Sequence, residues 1–338
     1  MNPFAKRRLG SSPVSVTQLG LGGAQFGNVF SDLTDQAASD TVAAAYTAGI
    51  RYFDSAPLYG RGLSESRVGA GLAPFNRASL VISSKVGYTL VPRAGSAGPF
   101  DNDTRFDYSR DGVLRSLESS LRRLRTDRLD IVLIHDPDES VSNELGFDPY
   151  GTSHFAEVMD GAYPALHELR AQGVIGALGA GMNQWQMLSD FARAGDFDCF
   201  MLAGRYTLLE QGALATFLPL CAQKNIGVII AGPYNSGILA TGAAPSALWN
   251  YKPAPPALLA RVAAIQAVCE RHGVSLQAAA LQFPFGHPAV ASVIPGSRSV
   301  AELEANVQLL QHPIPAACWA ELQSLSLLDP AAPLPAGA

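Results

Sequence analysis

The fold class that the sequence predicts is α/β, a (β/α)8 barrel with an N-terminal hairpin and long loops at the C-terminal mouth. Three observations predict it. Short β-like apolar runs alternate with longer amphipathic segments from end to end of the 338 residues, eight such runs can be counted, and 48% of the residues are hydrophobic. Eight strand–helix units in series imply a parallel sheet of the size that closes on itself. Charged residues are only 16%, too few for a disordered chain of this length.

The runs lie at residues 18–22, 52–54, 80–85, 131–135, 175–180, 199–202, 228–231 and 291–294. Helical segments are expected at 35–48, 64–72, 109–124, 163–172, 184–194, 213–224 and 257–271. The third shows the helical period well: Val113, Leu114, Leu117, Leu121 and Leu124 share a face, while Arg110, Arg115, Glu118 and Arg122 fall elsewhere. A doubly wound open sheet is the rival architecture. It would open with a G-x-G-x-x-G turn, whereas the first run continues Gly22-Gly23-Ala24-Gln25-Phe26-Gly27, glycine-rich but without that spacing.

Residues 5–16, with a Gly10-Ser11-Ser12-Pro13 turn, are expected to form a hairpin across the barrel floor. The connections 87–108, 136–154 and 233–256 are unusually long and all follow strands, which places them at the mouth. Residues 1–328 read as one barrel domain and 329–338 as a flexible tail.

The net charge of −5 offers no basic stripe, so nucleic acid is not an expected partner. Cys199, Cys221, Cys269 and Cys318 have no CxxC or zinc-ligand spacing and read as buried thiols. No metal is expected; His135, Asp136 and Asp138 are the nearest candidates for one. The basic start MNPFAKRRLG is not followed by an apolar stretch, and no run approaches the roughly 18 residues of a membrane span. The chain reads as cytoplasmic, a monomer or small homo-oligomer acting on a small molecule.

Chemistry concentrates at three successive strand ends. Asp54 ends the second run, Lys85 the third and His135 the fourth, with Tyr59 five residues beyond Asp54. Each alone has a plainer reading: a solvated lysine, a loop histidine, a capping aspartate. Together they make a proton-transfer set. A free phenol has a pKa near 10, too high for easy exchange, and a neighbouring ammonium lowers it. A carboxylate keeps that ammonium charged and aimed, and an imidazole can hold the substrate oxygen.

At these residues the chain resembles the aldo-keto reductases, whose Asp–Tyr–Lys–His tetrad on a (β/α)8 barrel is matched at all four positions. Segments 54–72, 106–124 and 203–211 and the His135-Asp-Pro-Asp138 run resemble a narrower group, the D-threo-aldose 1-dehydrogenases with L-fucose, L-galactose and pyridoxal 4-dehydrogenases. The resemblance implies a nicotinamide cofactor. It places contacts at Ala24 and Gln25 after the first strand, and at Gly232, Pro233, Asn235, Ser236, Gly237 and Leu239 after the seventh. After the eighth it places them at Pro295, Gly296, Ser297, Arg298, Glu302 and Asn306. A helix start there would also attract phosphate through its free N–H groups.

Three departures from the family pattern touch the carboxamide end: Gly181-Met182 replaces a Ser-Asn pair, Ala203 a glutamine and Ala231 a stacking tyrosine. Asn183 is the polar replacement expected there. Glu302 stands where the family often has an arginine for the 2′-phosphate, which favours NAD. It could instead close a capping box with Ser299, and Arg298 could hold a phosphate, so NADP stays open. The expected reaction is oxidation of a cyclic hemiacetal at C1 to a lactone, with Tyr59 as base. The substrate would be an aldose such as L-fucose, L-galactose or D-arabinose. Pyridoxal oxidation and NADPH-dependent aldehyde or ketone reduction are the alternatives.

Overall fold

The computed structural model describes residues 1–29, 31–95, 98–138, 153–250 and 252–336. Eight parallel strands stand in chain order: β1 (Leu21–Gly22), β2 (Tyr52–Asp54), β3 (Val81–Val86), β4 (Leu129–His135), β5 (Ile175–Met182), β6 (Cys199–Ala203), β7 (Gly227–Ala231) and β8 (Val290–Ile294). The ring closes through backbone bonds between its ends. Gly20 N–H donates to Val293 O at 3.0 Å, Gly22 N–H to Pro295 O at 3.1 Å, and Val293 N–H to Gln18 O at 2.8 Å. The first run is therefore mostly a closure seam rather than a full strand.

Side-chain alternation sorts the strands into two cores. Tyr52, Ile131, Leu133, Ala177, Cys199, Met201 and Ile229 fill the barrel interior. The opposite set, including Val132, Ile134, Leu178, Phe200, Val228 and Ile230, packs outward on the helices. By the same parity the top interior layer consists of Asp54, Lys85, His135, Gly181, Ala203 and Ala231. Half of the mouth thus carries functional groups, and half carries residues too small to fill it.

The longer helices among the described residues are α1 (Asp35–Ala48), α2 (Leu63–Leu72), α3 (Arg110–Leu124), α4 (Tyr163–Ala171), α5 (Trp185–Ala194), α6 (Phe217–Lys224), α7 (Pro256–Arg271), α8 (Leu276–Gln282), α9 (Val300–Gln311) and α10 (Ala316–Ser324). Ser109 caps α3 by accepting from Gly112 N–H, with Asp111 in the first turn and Arg122 and Arg123 in the last, each placed to suit the helix dipole. α6 starts later than expected because Pro219 has no N–H and fits only a first turn. α8 lacks an amphipathic period; it is buried along nearly its whole length.

The expected hairpin is present, with Lys6–Arg8 paired antiparallel to Ser15–Thr17. Gly10 turns it at φ +55°, where a Cβ would lie 2.4 Å from the Asp198 carbonyl oxygen. Two ribbons arise inside the long mouth connections, Tyr88–Pro92 with Asn102–Phe106 and Leu248–Trp249 with Lys252–Pro253. The stretch 139–152, within the connection read as 136–154, lies outside the described residues.

Residues 329–336 are not the loose tail the sequence suggested. Asp329 N–H donates to Gln211 Oε1 at 3.1 Å, and Gln323 Nε2 donates to the Ala332 carbonyl at 3.0 Å. Ala332 is buried, and Leu334 packs on the core. Prolines lower the entropy of such a segment, and Gly286 leaves room for it to lie flat: a Cβ there would sit 2.0 Å from Pro333 O.

All four cysteines are buried free thiols. No helix among the described residues is long and apolar enough to cross a membrane. No group of three metal-capable side chains occurs among them either.

Candidate active site

Lys85 and Asp54 form an ion pair at 2.6 Å, with side chains 1% and 2% exposed. Such a pair survives only if its remaining hydrogen-bonding capacity is met. Lys85 Nζ also donates to the Ser55 carbonyl at 2.9 Å, and Ser83 Oγ donates to Asp54 Oδ1 at 2.6 Å. Ser83 and Lys85 share strand parity, so both reach the interior. Ser84, pointing outward, donates to Glu65 Oε1 at 2.5 Å, and Arg123 clamps Glu65 Oε2 at 2.6 Å. The serine-rich strand therefore has a partner for every polar side chain.

Burial works against the Lys85 charge, but Asp54 and Tyr59 outweigh it and hold the ammonium above its ordinary value. Its Nζ stands 4.8 Å from the centre of the Tyr59 ring. Tyr59 lies on a turn built from left-handed backbone, with Gly60 at φ +61°. There a Cβ would meet Gly27 O at 2.3 Å, so the loops after β1 and β2 touch backbone to backbone. Arg67 braces the first of these loops by donating to Phe26 O and Asn28 Oδ1, each at 2.8 Å.

The Tyr59 phenol is pushed up to about 12, by burial above all. Lys85 pulls it down and Asp54 and Asp136 push it further up. The ammonium acts in the direction expected from the sequence, yet desolvation wins. The resting group is a phenol, and Lys85 narrows the gap to its anion.

The His135 ring meets Tyr59 edge-on, with centroids 5.8 Å apart at 87°. Tyr88 meets the same ring edge-on, with centroids 5.4 Å apart at 74°, and the Tyr108 hydroxyl donates to the His135 carbonyl at 2.7 Å. Burial first, then Lys85, depresses its pKa well below 6.5, so it is a neutral imidazole. His135 Nδ1 has no partner among the described residues. Ser55, Ser83, Tyr88 and Tyr108 escape a reading of the sequence because their work depends on contacts across the barrel.

The second half of the mouth holds the expected cofactor residues. Gln25 packs against Gly296, where a Cβ would lie 2.8 Å from Gln25 Cγ. Gln25 Oε1 is buried without a partner among the described residues. Gly232 is exposed at φ +58°, and a Cβ on Gly237, at φ +99°, would enter open space. Asn306 Nδ2 donates to Ser297 Oγ at 3.2 Å, and the Tyr234 hydroxyl donates to Asn306 Oδ1 at 2.6 Å. An orphaned acceptor, open glycine backbone and the small layer Gly181, Ala203 and Ala231 fit a nicotinamide dinucleotide. Of the other expected contacts, Ala24 is half-buried, Ser236 is exposed, and Pro233 and Pro295 are buried.

Four expectations change in detail. Leu239 is wholly buried and its N–H donates to Tyr234 O, so neither its side chain nor its amide is free. The Asn235 side chain is engaged by Thr207 Oγ1 and by Gly204 O, which makes it a brace of the loop. Asn183 Nδ2 donates to the Ala203 carbonyl at 2.8 Å, so its amide nitrogen is already engaged.

The fourth change concerns Glu302, which takes neither anticipated position. Its Oε2 accepts from the Arg298 N–H at 2.8 Å, and its Oε1 accepts from the Arg298 guanidinium at 2.6 Å. Ser299 Oγ accepts the Glu302 N–H at 3.2 Å, so only half of the capping box forms. The anion and the cation that argued for opposite cofactors neutralise each other.

Three strand ends thus bring a carboxylate, an ammonium and an imidazole to one rim, with the Tyr59 phenol beside them and the small layer Gly181, Ala203 and Ala231 opposite. That defines a barrel oxidoreductase. The aldo/keto reductase family pattern matches residues 18–327, and the chain belongs to that family. It is 37% identical to a pyridoxal 4-dehydrogenase of Microbacterium luteolum over 96% of this chain and 98% of that one. A D-threo-aldose 1-dehydrogenase of a Pseudomonas species is 38% identical over 93% and 95%. The L-galactose dehydrogenase of Arabidopsis thaliana is 29% identical over 97% and 92%. The holo form of an aldo-keto reductase from Bacillus halodurans superposes with a TM-score of 0.74 at 25% identity, covering 97% of each chain. The protein is an NAD(P)-dependent oxidoreductase with a small-molecule substrate.

Proposed function

We propose that this enzyme oxidises a cyclic hemiacetal at its anomeric carbon to the lactone, with an aldose such as L-fucose, L-galactose or D-arabinose as substrate. One observation carries the reading: the buried Asp54–Lys85 pair at 2.6 Å beside Tyr59, with neutral His135 edge-on to the same ring. A bound nicotinamide supplies the hydride acceptor. Tyr59 takes the anomeric hydroxyl proton, at a cost that Lys85 reduces by favouring the phenolate. His135, uncharged, donates a hydrogen bond from Nε2 to the same oxygen and fixes its position. Asp54 and Ser55 hold the ammonium in place throughout.

Similarity along nearly the full length of the aldose 1-dehydrogenase and the pyridoxal 4-dehydrogenase supports a hemiacetal over an open aldehyde, since pyridoxal also closes to a hemiacetal. The second reading is carbonyl reduction with Tyr59 as the acid. Its support is the phenol pKa of about 12, which makes the protonated form the resting state. Steady-state traces of NAD reduction by aldoses and pyridoxal, set beside traces of NADPH oxidation by open-chain aldehydes, separate these. Turnover of aldoses with a lactone product is the expected result. Turnover confined to aldehyde reduction would overturn it.

NAD is the proposed cofactor. With Glu302 across its guanidinium, Arg298 offers a 2′-phosphate no net positive charge. Replacing Glu302 with arginine should move the kcat/KM ratio toward NADP tenfold or more, about 1.4 kcal/mol. An unchanged ratio would remove this pair from cofactor choice.

A further inference from the structure

One acidic group at the mouth has no task in the reaction described so far. Asp136 follows His135 directly, its side chain is 5% exposed, and its Oδ2 stands 3.5 Å from His135 Nε2. That spacing is too long for a hydrogen bond. Among the described residues no side chain or amide donates to the Asp136 carboxylate. Its backbone is left-handed at φ +42°, and its N–H is tied to Gly181 O at 3.0 Å. Such backbone is rare outside glycine and gathers at functional sites. A buried carboxylate with nothing to accept from is costly unless something else supplies the donor.

The position of that donor follows from the neighbours. Tyr59 and His135 Nε2 both address the reacting oxygen, and Asp136 Oδ2 lies beside His135 Nε2. Lys85 cannot turn to it, being held by Asp54 and Ser55. A carboxylate presents only acceptor lone pairs, so its natural complement is a hydroxyl close to the reacting oxygen. A reacting carbon with a hydroxyl on the next carbon provides that group; a simple aldehyde does not.

We propose that Asp136 is a specificity-determining residue that accepts a hydrogen bond from the hydroxyl vicinal to the reacting carbon, selecting α-hydroxylated hemiacetals. The proposal rests on the hemiacetal reading above. Asp136 takes no part in proton transfer; it ranks substrates.

The test compares kcat/KM for an aldose and its 2-deoxy counterpart in the wild type, Asp136→Ala and Asp136→Asn. The wild type should prefer the aldose by about tenfold or more, because a site with an unsatisfied acceptor rejects the analogue lacking the donor. Asp136→Ala should bring the two substrates within about threefold of each other. Asp136→Asn keeps the size and tolerates the left-handed backbone, and its amide oxygen should retain part of the preference. Since both substrates meet the same protein, the ratio is unaffected by any loss of folded enzyme.

Stability gives a second readout. Burial, and then Asp138, holds the Asp136 carboxyl well above 3.8. A group raised in this way favours folding below its unfolded value, and that contribution is lost as pH rises through its folded value. At neutral pH its ionisation opposes folding, so Asp136→Asn should raise the melting temperature. Equal losses on both sugars, or a lowered melting temperature with the ratio intact, would mark Asp136 as a structural turn residue and overturn the proposal. A wild type that oxidises both sugars equally well would also overturn it. A wild type that oxidises neither would overturn the hemiacetal reading on which it stands.

Discussion

Replacing Lys85 with methionine should cut turnover steeply and weaken the fold at once. The substitution leaves Asp54, 2% exposed and bonded to Ser83, without its counter-charge. Breaking one side of a buried ion pair costs about 3–5 kcal/mol. Thermal melting should show a drop of that order near neutral pH, eased in acid as Asp54 takes up a proton. Activity should fall by about 10²-fold or more, because the phenolate loses its adjacent cation. A variant that melts normally and keeps its rate would mean that Lys85 is neither strut nor partner to Tyr59.

The second large effect is expected at Tyr59→Phe, which keeps the ring and removes the hydroxyl. Turnover should fall by about 10²-fold or more with the dissociation constant for the cofactor nearly unchanged. The pH profile adds a sign. With the phenol pushed up to about 12, the phenolate fraction grows with pH throughout the neutral and alkaline range. Wild-type kcat/KM for oxidation should therefore climb with pH, while carbonyl reduction, which uses the phenol, should be flat over the same range. Tyr59→Phe should flatten the oxidation profile. A slope that persists in the variant would assign the titrating group to another residue.

The strand ends were the legible part of this molecule. Asp54, Lys85 and His135 stand out because an ionisable residue ending an apolar run is costly to bury without a task, and three in succession meet at one edge of a barrel. Parity along the strand then carries each into the interior layer above Tyr52, Ser83 and Leu133. What could not be read was pairing. Nothing local in Val-Ile-Ser-Ser-Lys-Val tells that Ser83 serves Asp54 while Ser84 serves Glu65, since both partners arrive from other elements.

The same limit applies to Glu302. The spacing Ser299-Val-Ala-Glu302 fits a capping box, but the carboxylate reaches one residue further, to Arg298, because a guanidinium waits there. The mouth ribbon Tyr88–Pro92 with Asn102–Phe106 was hidden by its long connection, since Leu90 and Val91 break any alternation in its first strand. From sequence Asp136 stands out only as a metal candidate. Its left-handed turn and its burial beside His135 are tertiary facts, and they give it a different meaning.

The central claim is that hydride leaves the anomeric carbon of a hemiacetal while Tyr59 takes its hydroxyl proton. An aldose carrying deuterium at C1, supplied with NAD, tests this most directly. The label should appear on the reduced nicotinamide, the sugar product should be the lactone, and Tyr59→Phe should slow the formation of both by about 10²-fold or more. Label retained in the sugar, or reduced cofactor formed without lactone, would contradict the account.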